Sequence, residues 1–495
     1  MHWVFQCTFL CYTFYLGGVF MRFPIPSWVY DTVIYQIFPD RFFIGKGLTV
    51  EEKKQLYEKR GGRVEKWGVP PKRDEKNDHV RVFYGGDLWG IAEKIEYLRD
   101  LGVNAIYLTP IFLSNSNHKY DTIDYFKVDP QFGGIRALKR LINSLHAENM
   151  KLILDGVFNH VGRENVYFKK ALKGKNKYRN MFIFYENNYR GWWGTKSLPE
   201  LVLEEVSVKN YVIDVLIKYL ELGIDGWRLD CGQDLGPEFN RYITSKVKEY
   251  SSEKYVISEL WTYTGGWDMV DGIMNYHLRE NIVSYIEGTN KNFGFYLERM
   301  YNETDNILAC WNMLDSHDTE RLATTINDKF LRKFAIFMQF TYPGVPVIYY
   351  GTEVGINGGP DPECRKTMIW NEEKWDNDLR DFYKKLIYLR KNEPALRYGS
   401  FELLNNDPIV FMRRTPMVLD TLIVYGNIYD EPLDITISIP EKRLLSGTEF
   451  IDMFTEDRYF IKGGMLKIKM LPHSFGILKV KNNIVNNYDQ YKRIS

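Results

Sequence analysis

From about residue 28 onward, apolar runs of about four to eight residues alternate with longer stretches whose apolar positions recur every three or four residues. The runs read as strands buried on both faces, and the periodic stretches as amphipathic helices. Eight strands are predicted: Val33–Phe38, Ala105–Thr109, Lys151–Phe158, Gly226–Asp230, Tyr255–Glu259, Gly272–Asn275, Ile307–Leu314 and Pro346–Tyr350. Helical patterns lie between them, among them Ile91–Leu101, Ile135–Glu148, Val208–Leu222, Pro237–Tyr250 and Phe330–Tyr342. Alternating βα units imply a parallel sheet, and eight of them imply an α/β fold: a closed (β/α)8 TIM barrel whose first and last strands pair. An open doubly wound sheet would want a Gly-rich phosphate loop after strand one, and Tyr35-Gln36-Ile37-Phe38-Pro39-Asp40 is not one.

The alternation is interrupted twice. Gly45 to Val82, rich in Lys, Glu and Arg, is read as a solvated excursion after strand one. Residues 161–205 are too long for a plain βα loop and carry Phe182, Phe184, Tyr185, Trp192 and Trp193, so a small subdomain is expected there as one wall of a cleft. After about Ala395 the pattern shortens to β-prone segments: Ile409–Arg413, Leu422–Gly426, Leu433–Ile439 and Gly476–Val480. These predict a C-terminal antiparallel β-sandwich. The expected organisation is a tail at 1–27, a catalytic barrel at 28–395 with its insert at 161–205, a β-sandwich at 396–481 and a polar, frayed tail at 482–495.

Residues 1–20 are apolar and almost uncharged. A signal peptide would show a basic start and a small-residue cleavage site. Length alone permits a membrane anchor, against which Gln6, Thr8 and Thr13 weigh. The preferred reading is that translation begins at Met21, and no other segment is long and apolar enough to span a membrane. A net charge of +1 leaves no electrostatic footprint for nucleic acid. The five cysteines (Cys7, Cys11, Cys231, Cys310 and Cys364) are odd in number and widely spaced, which argues against a disulfide framework and for a reducing, cytoplasmic compartment.

Three predicted strands run out at acids: Gly226-Trp227-Arg228-Leu229-Asp230, Val256-Ile257-Ser258-Glu259-Leu260-Trp261 and Leu314-Asp315-Ser316-His317-Asp318. One acid at a strand end is most often a helix cap or an ion-pair partner. Three at the carboxyl end of one barrel face a common site. Glycosidic bond cleavage needs that supply, one carboxylate to attack the sugar and one carboxylic acid to protonate the leaving oxygen.

Asp155-Gly156-Val157-Phe158-Asn159-His160, Gly226 to Asp230, Glu259 and His317-Asp318 together resemble, in order and spacing, the four motif regions of the α-amylase family of glycoside hydrolases. Ser197-Leu198-Pro199-Glu200-Leu201, Gly358-Gly359-Pro360-Asp361-Pro362-Glu363-Cys364-Arg365 and Asn117-His118-Lys119-Tyr120-Asp121-Thr122 resemble its neopullulanase and cyclomaltodextrinase branch. That branch usually carries an N-terminal immunoglobulin-like domain. Only about 27 residues precede the barrel here, so the domain is expected to be absent, which leaves a homodimer and the substrate range open.

The resemblance implies roles. Asp230 is expected as nucleophile, Glu259 as general acid and base, with nearby Asp318 and apolar Trp261 favouring its protonated form, and Asp318 as the third acid gripping sugar hydroxyls. Arg228 is expected to orient Asp230, two residues on along a strand. His160 and His317 are expected to hydrogen-bond the sugar, Tyr120 to stack under it, and Asp361 and Arg365 to bind a sugar further along. Asp155 and Asn159 are expected to stabilise the strand-three loop. Cys231 is read as barrel packing that points away from the nucleophile. The loop after strand one often holds calcium in the family. Here Ile44-Gly45-Lys46-Gly47 puts a lysine in it, so no calcium and no other cofactor is expected, Lys46 substituting for the ion. The implied activity is retaining hydrolysis of α-1,4 bonds in cyclodextrins and short maltodextrins. The alternatives are an α-glucosidase or transglycosylase on the same scaffold, and, remotely, a non-catalytic amylase-fold binding protein.

Overall fold

The apolar runs close into a parallel barrel. In the computed structural model, which describes residues 22–73, 78–186, 188–482 and 491, its strands are β1 (Ile34–Ile37), β2 (Ala105–Leu108), β3 (Lys151–Gly156), β4 (Gly226–Leu229), β5 (Tyr255–Leu260), β6 (Gly272–Asn275), β7 (Trp311–Met313) and β8 (Val345–Tyr349). Closure is made by β1, which pairs with β8 at Ile34↔Val347 and with β2 at Ile34↔Ala105. Ile34, Tyr107, Ile257, Trp311 and Val347 pack the barrel interior. Alternate residues such as Tyr35, Ile106, Trp227 and Val256 pack outward in the larger core shared with the helices. Both faces are buried, so these strands read as continuous apolar runs.

Three expectations are modified. The segment Ile307–Ala309 is a 3-10 turn behind left-handed Asn306 (φ 51°), so β7 starts only at Trp311. The helix expected over Ile91–Leu101 is two, Leu88–Glu93 and Ile95–Leu101, meeting at Lys94. The excursion from Gly45 to Val82 is largely exposed, as expected, but it is anchored to the barrel at a few buried side chains. Its helix Val50–Glu58 opens with a reciprocal Thr49–Glu52 capping box and buries Lys53 and Tyr57, the latter stacked on Phe83 at 4.2 Å.

The insert after β3 contains the helix Val166–Leu172 and a short hairpin of Phe184–Tyr185 with Asn188–Tyr189. It closes over Phe168, Phe182 and Tyr189 and returns to the barrel through a bridge between His160 and Glu200.

Eight antiparallel strands follow, in the spatial order Ser400–Asn405, Ile409–Arg414, Leu422–Asn427, Ser474–Val480, Glu449–Asp452, Arg458–Lys462, Met465–Met470, Leu433–Ser438. Val410, Met412, Ile423 and Leu478 meet Ile437, Leu466 and Ile468 in a core of their own. Their neighbours Ile409, Phe411, Leu422 and Ile477 belong to the barrel's core. Phe475 stacks on Phe337 at 4.6 Å, and Arg413 Nη1 donates to the carbonyl of Thr341 at 2.5 Å. In the polar tail, Tyr491 is buried against this sheet beside Thr448. Residues 1–20 and the Met21 start lie outside the described residues. No helix among the described residues is long and apolar enough to cross a membrane.

Candidate active site

The carboxyl ends of the strands deliver the acids to one place. Strands β3 and β4 pair with Arg228 beside Asp155, which sets a guanidinium among carboxylates. Arg228 Nη1 lies 2.8 Å from Asp155 Oδ1 and 2.7 Å from Asp230 Oδ1, and its Nη2 lies 2.8 Å from Glu259 Oε1. Asp155 also accepts from the hydroxyls of Tyr107 (2.5 Å) and Tyr120 (2.9 Å). It is therefore a buried partner of Arg228 below the site rather than a prop for the strand-three loop.

Three carboxyls around one buried cation leave excess negative charge in a dry place. Burial raises the pKa of Asp230 well above the ordinary carboxylate value. Arg228 opposes the rise, and Glu259 and Asp155 add to it. A charge on Glu259 thus acts directly on Asp230. An oxygen of Asp230 and one of Glu259 come within 4.8 Å of each other.

Cys231 differs from its expected place. Strand β4 ends at Leu229, and Cys231 adopts the left-handed conformation (φ 49°) instead of continuing the alternation. Its thiol consequently faces Asp230, with Sγ 3.2 Å from Oδ2. Its backbone N–H donates to Glu259 Oε2 at 2.9 Å. Trp261 is likewise a donor and not only an apolar wall. Its Nε1–H reaches Glu259 Oε1 at 3.1 Å, while its ring lies on Tyr276 with centroids 3.8 Å apart.

Asp318 sits across the cleft in a basic clamp. His317 Nε2 is 2.9 Å from its Oδ2 and Arg365 Nη2 is 3.2 Å from its Oδ1. Burial alone would raise its pKa, but His317 and Arg365 outweigh burial and hold Asp318 well below the usual carboxylate range. Arg365 also pairs with Asp361 at 3.0 Å and donates to the carbonyl of His317 at 2.8 Å. His317 lies flat against Tyr120 (5.5 Å, 5°) and is fully buried. His317 and Arg228 therefore stand behind the cleft surface, whereas Tyr120, His160, Asp230, Glu259, Asp318, Asp361 and Arg365 line a cavity of about 500 Å³.

The cavity has further lining residues to which the sequence assigned no individual role. His118 stacks over Tyr120 at 5.8 Å, and Gln233 and Asp234 come from the start of the helix after β4. From the insert, Trp192 stacks on His160 at 4.9 Å and donates from Nε1 to Asp234 at 2.9 Å, joining insert to barrel. Trp193 beside it is 80% exposed at the mouth. The aromatic content of residues 161–205 signalled such a wall, but the partners of each ring are tertiary. Asn159 borders a neighbouring cavity between the insert and the same helix.

Residues 36–378 match the catalytic domain of the alpha-amylase family. The chain belongs to that family. A cyclomaltodextrinase of Thermoanaerobacter pseudethanolicus is 38% identical to this alpha-amylase-family glycosidase over 397 residues, 76% of this chain and 66% of that one. Neopullulanase 2 of Thermoactinomyces vulgaris is 34% identical over 479 residues, 92% of this chain and 79% of that one. The solved structure of a cyclic alpha-maltosyl-(1-->6)-maltose hydrolase from Arthrobacter globiformis superposes with a TM-score of 0.78 at 28% identity, covering 92% of this chain and 99% of that chain.

The strand-one loop where this family often holds calcium does not offer an ion's ligand shell here. Calcium wants six to eight oxygens. Gly45 points its N–H, not its carbonyl, at Asp87 Oδ1 (3.2 Å). Lys46 does not substitute for an ion. It is exposed, and its backbone N–H donates to Glu93 Oε1 at 2.8 Å. The ammonium that reaches the loop's oxygens is that of Lys53.

Proposed function

We propose that this glycosidase cleaves α-1,4-glucosidic bonds of cyclodextrins and short maltodextrins with retention of configuration. The observation that carries the reading is the Asp230–Glu259 pair. Oxygens within 4.8 Å suit a retaining pair, whose carboxyls stand about 5–5.5 Å apart, better than an inverting pair, whose carboxyls stand about 6.5–9.5 Å apart. In this reading Asp230 attacks the anomeric carbon through Oδ2 while Arg228 holds Oδ1. Glu259 protonates the leaving oxygen and then takes a proton from the water that releases the glycosyl-enzyme.

Asp318, kept ionised by His317 and Arg365, accepts hydroxyls of the distorted ring. His160 Nε2 is buried with no hydrogen-bond partner among the described residues, which suits a donor or acceptor for a sugar hydroxyl. Tyr120 is the platform beneath that sugar, backed by His317. Asp361 and Arg365 hold the next sugar along the cleft. Relatives named cyclomaltodextrinase and intracellular maltogenic amylase support small α-glucans as substrates and a cytoplasmic location. A homodimer is the assembly to test by light scattering.

Incubation with β-cyclodextrin, maltotriose, pullulan and soluble starch, followed by chromatography of the products, tests the reading. Rapid opening of the cyclodextrin with slow attack on starch is expected. Glucose from maltotriose with the cyclodextrin untouched would replace it by an α-glucosidase. No product from any of the four would overturn glycoside hydrolysis.

A further inference from the structure

Lys53 lies on the helix Val50–Glu58 with its side chain about as buried as its partner's, 1% exposed against 0% for Asp87. Its ammonium donates to the carbonyl of Gly85 at 2.8 Å and to the carboxylate of Asp87. The other oxygen of Asp87 takes the N–H groups of Gly90 (2.6 Å) and Gly45 (3.2 Å). One cation, one carboxylate, one carbonyl and two N–H donors thus close a dry cage. The strand-one loop, Asp87 and the glycines before it all meet there. A divalent ion has no place in this cage while the ammonium is present. Its charge would meet that of Lys53, which already takes the Gly85 carbonyl and the Asp87 oxygen that an ion would need.

The helix cannot swing away cheaply, because its capping box fixes its start and Tyr57 is stacked on Phe83. A charge left alone here would be costly, so Lys53 and Asp87 hold each other in place. The cage also backs the active site. Gly85 donates its N–H to Asp40 (3.1 Å), Asp40 pairs with Arg41 (2.8 Å), and Arg41 donates to the carbonyl of Arg365 (2.5 Å).

We propose that the Lys53 ammonium is a built-in counter-ion that stands permanently where this loop would otherwise hold a divalent cation, so that the enzyme folds and works without calcium. The inference rests on the loop and not on the substrate reading, and its test reads stability and binding rather than turnover. The full-length protein, stripped with EDTA, is titrated with calcium chloride by calorimetry and melted with and without a few millimolar of the ion. No saturable binding and an unchanged Tm are expected. Lys53→Ala, which empties the cage, is expected to melt several degrees lower and to recover part of that loss in calcium. Lys53→Met, which keeps the stem and loses the charge, is expected to melt lower without recovery. Stoichiometric calcium binding by the unmodified protein with a raised Tm would overturn the proposal, and so would a Lys53→Met variant as stable as the parent. If neither variant folds, calorimetry on the parent still decides it.

Discussion

The backbone N–H of Cys231 donates to Glu259 Oε2, while the Cys231 thiol donates to Asp230 Oδ2. One residue thereby spans both carboxyls of the proposed pair. It does so from a left-handed conformation that costs a residue with a Cβ roughly 1–3 kcal/mol. Cys231→Ala keeps the N–H and the backbone and loses only the weak S–H donor. Its kcat/KM is expected to fall by less than about tenfold. A loss as large as that of a catalytic carboxylate, read by steady-state kinetics on β-cyclodextrin, would give the thiol a direct part in the chemistry.

Asp230→Asn removes the attacking group while leaving Arg228 a neutral oxygen to bond. Turnover is expected to fall by several orders of magnitude with little change in Tm. If the variant kept a tenth of the activity, Asp230 would not be the nucleophile.

Stability should fall on the acid side. Burial depresses the pKa of His160 to about 4, against about 6.5 in an unfolded chain. The folded state therefore disfavours the charged imidazole. The stability this group contributes is complete above about pH 6.5 and is lost as pH falls from there through about 4. Thermal melts across that range should show a declining Tm, and His160→Gln should flatten the decline. An unchanged slope in the variant would mean that His160 does not set it.

Trp192 ties the insert to the barrel through Asp234 and His160. Trp192→Ala should loosen that wall and raise KM several-fold for cyclodextrin, with a smaller change in kcat. An unaltered KM would show that the insert does not shape the cleft.

The barrel was legible because its strands are buried on both faces and stop at acids, as Gly226-Trp227-Arg228-Leu229-Asp230 does. The same apolar signal misled at Ile307–Ala309, where left-handed Asn306 turns the chain into a 3-10 helix before β7 begins. Placing Cys231 away from Asp230 assumed that strand alternation continued past Leu229, and a change of backbone conformation at that residue cancels it. Lys46 attracts the assignment because it stands inside the loop. The pairing of Lys53 with Asp87, 34 residues further on, is a tertiary contact that no local pattern carries. Asp155 was likewise placed by its strand, whereas its role follows from the register that sets it beside Arg228.

The strand Ile409–Arg414 turns Val410 and Met412 into one core and Ile409 and Phe411 into the other. A cut near residue 395 would therefore not release an independent barrel. It would strip an oily surface that includes Phe337 and hand water the apolar face meant for Phe475. The two parts should melt in a single calorimetric peak, and the shortened chain should clump rather than merely lose a tail. The C-terminal sheet is in this sense a lid on the core between the barrel and its helices, and its removal is a test of folding before it is a test of catalysis.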